Sequence, residues 1–155
     1  MGNSSLEPPT VHGHLFPVSA KGLVFWGNRI PLLLNERDEW ELPGGRLELD
    51  ETPEACACRE LKEELSLEVN EPKLVDCWVY AVTPKKHVLI VVYLCDTSQS
   101  PDALVVSNEH KQLGIFEIST LGSLNIPNGY LRSIEMAWNY KIGPALDSTV
   151  DKQRR

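Results

Sequence analysis

The sequence predicts an α/β protein with a mixed β-sheet sandwiched between helices, and three observations carry that prediction. Runs rich in Val, Ile, Leu, Tyr and Trp are interleaved with helical stretches without regular alternation, as in a mixed rather than an all-parallel sheet. Thr52-Pro53-Glu54 is a strong helix start: Thr52 can cap, Pro53 suits the first helical position and Glu54 complements the dipole. A chain of 155 residues with 42% apolar content is of a size for one domain with one core.

The elements follow in order. Residues 1–10 are polar and proline-bearing and read as a disordered lead-in to a single domain over 11–147, with a polar tail over 148–155. From Val11 to Asn35 the chain reads as β. Leu23–Trp26 and Ile30–Leu34 flank Gly27-Asn28-Arg29, a hairpin signal, and Pro31 puts the start of the second strand at an edge or a bulge. Trp40–Gly45 is a short strand running into a tight Pro-Gly-Gly turn. The helix opened by Thr52 runs to about Leu65. Asn70–Lys73 reads as a loop, Leu74–Val82 and His87–Cys95 as two long strands, Thr97–Asp102 as a polar loop and Leu113–Ile118 as a last short strand. A second helix is expected over Tyr130–Tyr140.

Composition excludes several classes. The net charge of -7 argues against a nucleic-acid polymer or a membrane surface as partner. No apolar run reaches the ~18 residues of a membrane span, and no signal peptide is evident, so a cytoplasmic protein is expected. The four cysteines lack zinc spacing and read as reduced thiols. The acidity is concentrated: 13 of the 22 Asp and Glu lie between Glu36 and Glu71, against 4 of the 15 Lys and Arg.

That concentration has a pattern. At 100° per residue, Glu64 lies about 40° and Glu63 about 60° from Glu60, so three carboxylates share one helical face. Each like-charged pair costs roughly 0.2–0.5 kcal/mol on an exposed helix. Arg59, one turn before Glu63, offsets part of that. A Gly-Gly turn that bares a backbone carbonyl lies just upstream, with Glu51 between. Hard oxygen donors in this arrangement suit a magnesium ion that keeps open positions for phosphate oxygens and water.

The stretch Gly45–Leu67 resembles the Nudix box of the MutT-like Nudix hydrolases, G-x5-E-x7-R-E-U-x-E-E-x-G-U with U aliphatic. Gly45, Glu51, Arg59, Glu60, Leu61, Glu63, Glu64 and Leu67 match at the required spacing, and Ser66 stands where the box has Gly. That Gly usually ends the helix in a left-handed turn; Ser in the same backbone costs about 1 kcal/mol.

The resemblance implies a Nudix fold and a magnesium-dependent hydrolase, with manganese as a substitute. Its reaction would be water attack on a pyrophosphate bond of a nucleoside diphosphate linked to another moiety, such as a nucleoside triphosphate or an ADP-ribose or nucleotide-sugar compound. It implies Glu60, Glu63 and Glu64 as metal ligands, together with the Gly44 or Gly45 carbonyl. Arg59 would orient a box carboxylate, and Glu51 would bridge loop to helix or ligate in multi-metal states. Glu109 sits where the family often supplies one more carboxylate, the alternative being a solvated loop residue. Glu60, Glu63 and Glu109 are the candidates for the base. Arg46 is a candidate for substrate phosphate, or else a surface ion pair. Trp26 and Tyr80 are candidates for stacking on a base, or else core. The partner implied is a small-molecule nucleotide, with a homodimer common in the family. The alternative function is a Nudix-fold module that binds a nucleotide without cleaving it.

Overall fold

A computed structural model describes residues 13–108 and 112–150, of which 144–150 as backbone alone. The 1–10 segment, Glu109 and His110 lie outside the described residues. Among the described residues, seven strands and two α-helices run in the order β1 (Val18–Leu23), β2 (Arg29–Leu34), β3 (Trp40–Glu41), β4 (Gly44–Arg46), α1 (Pro53–Leu65), β5 (Asn70–Thr83), β6 (Lys86–Asp96), β7 (Gln112–Glu117) and α2 (Asn128–Val150). Single 3-10 segments occupy Pro101–Ala103 and Ile118–Ser123.

A four-stranded mixed sheet has the order β4-β1-β6-β5, in which β1 and β6 are parallel and the other pairs antiparallel. Alternation along β6 explains why two helices are needed. Val88, Ile90 and Val92 belong to a core closed by Tyr130, Ile134 and Ala137 of α2. Tyr93 and Cys95 belong to a second core closed by Cys56, Ala57, Leu61 and Leu65 of α1. Both faces of the sheet are therefore apolar and each is covered by one helix, the expected α/β/α sandwich. A three-stranded sheet, β3-β2-β7, completes the molecule.

Several local expectations are corrected. Trp26 and Arg29 do close a two-residue turn, exchanging hydrogen bonds of 2.9 and 3.1 Å, and Gly27 supplies the positive φ of 63° that such a turn needs first. The flanking segments nevertheless do not form a hairpin. β1 ends at Leu23 and pairs with β6 over Leu89–Leu94, while β2 joins the other sheet. Leu23 and Phe25 pack toward α2, and Val24 and Trp26 toward α1, so the alternation of an extended strand continues past the end of β1. Pro31 is tolerated because β3 flanks β2 only at Leu33 and Leu34, which leaves Pro31 with a strand neighbour on one side. Asn70–Lys73, expected as a loop, is the bulged start of β5: Asn70 pairs with Asp96, Lys73 with Leu94, and Glu71 takes up the slack at φ 49°. The second helix starts two residues earlier than expected and continues well past Tyr140.

Candidate active site

The Gly-Gly pair, expected as a turn, is strand instead: β3 stops at Glu41, and Gly44 and Gly45 open β4 and pair with Lys21 and Ala20 of β1, where the site is built. Gly44 has φ 147°, and a Cβ there would strike the Ala20 carbonyl and lie 2.7 Å from the Lys21 Cα. A Cβ on Gly45 would run into the Glu60 carboxylate, 2.6 Å from Oε2. Gly45 is thus what allows a helix carboxylate to lie directly on the strand backbone, and Gly44 what allows β4 to lie close against β1.

Helix α1 is fixed at both ends. The Thr52 Oγ1 accepts from the Ala55 N–H at 3.2 Å. At the other end Ser66 adopts φ 54°, ψ 31°. Its N–H reaches the Lys62 carbonyl at 3.0 Å, and the Leu67 N–H reaches the Leu61 carbonyl at 3.2 Å. A left-handed residue whose N–H reaches the carbonyl four residues back is the αL ending, formed here with Ser in the place that favours Gly.

Between those ends the carboxylates diverge in environment. Glu64 is 4% exposed, and its Oε2 accepts the Gly44 N–H at 2.9 Å. Glu60 lies against Gly45; burial pushes its carboxyl up, while Arg59 and then Lys21 hold it back. The Glu63 side chain is 60% exposed. One guanidinium serves the whole group. Arg59 grips Glu51 with two bonds, Nε to Oε2 at 3.0 Å and Nη2 to Oε1 at 2.8 Å. Its Nη1 donates to Glu60 at 3.0 Å and to Glu63 at 3.1 Å, and Nη2 also reaches the Arg46 carbonyl at 3.3 Å. The Arg59 hydrogen bonds and the Glu48 N–H hold the Glu51 carboxyl down at about 2. Among the described residues no three Asp, Glu, His or Cys side chains converge closely enough to enclose a metal ion. The physical reason is visible: Arg59 stands between Glu60 and Glu63, and Glu64 is turned to the Gly44 peptide.

On the opposite face of the sheet, beside Gly44, lies a cleft of about 110 Å³. Lys21 enters it from β1, 5% exposed, its Nζ 3.5 Å from the Gly44 carbonyl and 3.8 Å from Glu41 Oε2. Burial alone would pull this ammonium down, but Tyr130, Glu41 and Glu64 more than offset it and the net direction is up. Tyr130 is itself pushed up to about 12 by burial, so at neutral pH the opposing charges are the two carboxylates. Tyr80 lines the cleft and donates from its hydroxyl to Glu39 Oε2 at 2.7 Å.

The structure therefore gathers Gly44, Gly45, Arg59, Glu60, Glu63 and Glu64 in one place, with Tyr80 on the far side of the sheet. Arg46 ends β4, paired with Ser19, and is exposed. Trp26 is elsewhere: it packs on the α1-side core and donates its indole N–H to the Gln99 carbonyl at 2.8 Å. Glu109 lies outside the described residues, but the segment leading to it is tied to the helix, with the Ser107 N–H on the Glu64 carbonyl at 2.8 Å. Lys21 and Glu41 were not among the expected site residues. The one signal for Lys21 is a lysine inside the otherwise apolar run Ala20–Phe25.

Comparison with known proteins bears on this geometry. Residues 16–136 match the family model described as NUDIX domain. Over 55 residues the chain is 40% identical to an 8-oxo-dGTP diphosphatase of Proteus vulgaris, covering 36% of this chain and 48% of that protein. Over 86 residues it is 38% identical to a MutT-like protein of Streptomyces ambofaciens, covering 54% of each. The chain thus spans about half the length of these two relatives. The crystal structure of a MutT NUDIX hydrolase from Burkholderia pseudomallei superposes with a TM-score of 0.69 at 24% identity, over 79% of this chain and 98% of that one, which shows a shared fold. With the match running from the residues before β1 into α2, the chain belongs to the NUDIX domain family.

Proposed function

We propose that this protein is a divalent-metal-dependent pyrophosphohydrolase that cleaves a nucleoside diphosphate linked to another moiety. The observation that carries the reading is the packing of the Glu60 and Glu64 carboxylates onto the Gly44–Gly45 backbone, with every charged position of the box in place.

The donor set fits magnesium, or manganese in its stead: carboxylate and peptide oxygens dominate, and the side-chain-free surface of Gly45 leaves the Glu60 carboxylate against the backbone. Glu60, Glu63, Glu64, the Gly44 or Gly45 carbonyl and Glu109 would hold the metal. When bound, such an ion supplies neutralisation of phosphate charge and activation of the attacking water. The chain supplies the rest. Arg59 sets the orientation of Glu60 and Glu63 through a guanidinium that Glu51 fixes by two bonds. Glu63 is the most exposed box carboxylate on the helix and is held by Arg59 at 3.1 Å, so its use in the reaction goes through that ion pair. Proton removal from the water falls to Glu60, Glu63 or Glu109. Arg46, exposed at the end of β4, would meet a substrate phosphate.

The test is a panel of nucleoside triphosphates, dinucleotides and nucleotide sugars with magnesium or manganese, reading nucleoside monophosphate, phosphate and pyrophosphate separately. Turnover that yields a nucleoside monophosphate is expected, and absence of turnover across the panel refutes the reading. A second reading, a module that binds nucleotide without cleavage, draws on the locking of Glu60 and Glu63 by Arg59. Tight metal-dependent binding with no product would favour it.

A further inference from the structure

Two exposed features meet at the end of the sheet where β1 begins, and no fixed position of the box belongs to either. The first is a knob. Leu49 is 94% exposed, the most exposed large apolar side chain among the described residues, and it stands between two exposed carboxylates, Glu48 and Asp50. Asp50 has φ 68°, a left-handed bend in the loop before α1. The second feature is a basin of about 310 Å³ between the lead-in to β1 and the β5–β6 turn, with His14, Phe16, Lys85, Lys86 and His87 on its walls. Phe16 stands between two imidazoles, its ring centre 6.0 Å from that of His14 and 6.2 Å from that of His87. The Thr83 Oγ1 accepts the N–H groups of Lys85 and Lys86 at 3.3 and 3.1 Å, which fixes the turn that carries them. Among the described residues no carboxylate lines this basin, in a chain of net charge -7. Knob and basin are neighbours: the Leu47 N–H bonds the Val18 carbonyl at 2.9 Å, and the residue before Val18 is Pro17, on the basin wall.

We propose that the knob of each chain seats in the basin of a second copy, so that two chains dock reciprocally about a two-fold axis running between the two features. A two-fold contact uses one surface twice, so that surface must be complementary to itself. A knob and a basin side by side meet this condition, each filling the other on the facing chain. The chemistry matches as well as the shape. Leu49 comes against the Phe16 ring, and Glu48 and Asp50 come against Lys85 and Lys86. Chains of net charge -7 repel one another at long range, so association needs a local region of opposite charge, which the basin supplies. An unrelated acidic partner would fill the basin and leave Leu49 in water, whereas a second copy covers both. The proposal stands apart from the hydrolase reading, because its surface carries none of the metal-binding carboxylates.

Sedimentation equilibrium of the full chain reads the association. The mass is expected to rise with concentration toward twice 17.4 kDa. A one-chain mass at every concentration overturns the proposal and leaves the basin to a different partner. Leu49→Ser changes an exposed position, so circular dichroism should be unchanged while association weakens at least about tenfold. Lys85→Glu together with Lys86→Glu should weaken it about tenfold, and adding Asp50→Lys to that pair should recover at least about threefold, because charges are then exchanged across the contact. A dimer that these changes leave intact has its contact elsewhere and overturns the proposal, as does a loss that charge exchange fails to recover.

Discussion

On the α1 face of β4 at Gly44–Gly45, the charged side chains come from residues 48–64, one loop and one helix. On the α2 face Lys21, Glu41, Tyr80 and Tyr130 come from β1, β3, β5 and α2. The first group is held together by its own ion pairs around Arg59, partly open to water. The second is held by the packing of the sheet and is more deeply enclosed. A site made within one short segment can be retuned by changing one cation, whereas a site assembled from four elements is only as well defined as the core beneath it.

Substitutions can sharpen or break this contrast. The largest effect is expected for Glu64→Gln. Its amide oxygen can still accept the Gly44 N–H, so circular dichroism should be unchanged while hydrolysis falls about a hundredfold to a thousandfold. Full activity with an intact fold would remove Glu64 from the α1-face machinery.

Gly45→Ala comes next. The new Cβ meets the Glu60 carboxylate, and relief requires moving the helix side chain or the strand, at about 1–3 kcal/mol. Urea unfolding measures it, and an unchanged midpoint would show that the two faces are less tightly joined at Gly45 than the contact implies.

The Arg59 network has a pH signature. Glu51 is held at about 2 in the fold against an ordinary 4.5. A depressed carboxyl contributes stability that is present above its unfolded value and is lost as pH falls through its folded value. The wild type should therefore lose stability between about pH 4.5 and 2. Arg59→Leu should flatten that slope, as read from urea midpoints across the range.

The smallest effect is a gain. Ser66→Gly relieves a left-handed residue and should raise stability by up to about 1 kcal/mol, or about 2–4 °C in Tm for a chain this size.

The same contrast explains what was legible in the sequence. Helix α1, its caps and its carboxylate face could be read because the residues that interact are three to eight positions apart and a fixed helical period relates them. The strands β6 and β7 were legible from their composition. The partner of each strand was not: the short turn at Gly27-Asn28 implied a hairpin, whereas the choice of β6 for β1 depends on burial on both sheet faces, which is a property of the assembled core. Trp26 and Tyr80 looked alike as strand aromatics, and only the face each turns to separates them, Trp26 to the α1-side core and Tyr80 to the α2-side core. Lys21 and Glu41 are 20 residues apart and meet only across β1 and the second sheet.

The docking of the segment after β6 onto the end of α1 has a consequence for local opening. Helix C-termini leave their last carbonyls without intrahelical partners. Here Leu61 and Lys62 are served by Leu67 and Ser66, but Leu65 and Glu64 are served by the Val105 and Ser107 amides, from about 40 residues away. Fraying of the helix end and detachment of that distant strap are then one event. In hydrogen–deuterium exchange, the amides of Val105 and Ser107 should exchange at a common rate with those of Ser66 and Leu67. The same urea dependence for all four would mark them as a single opening unit.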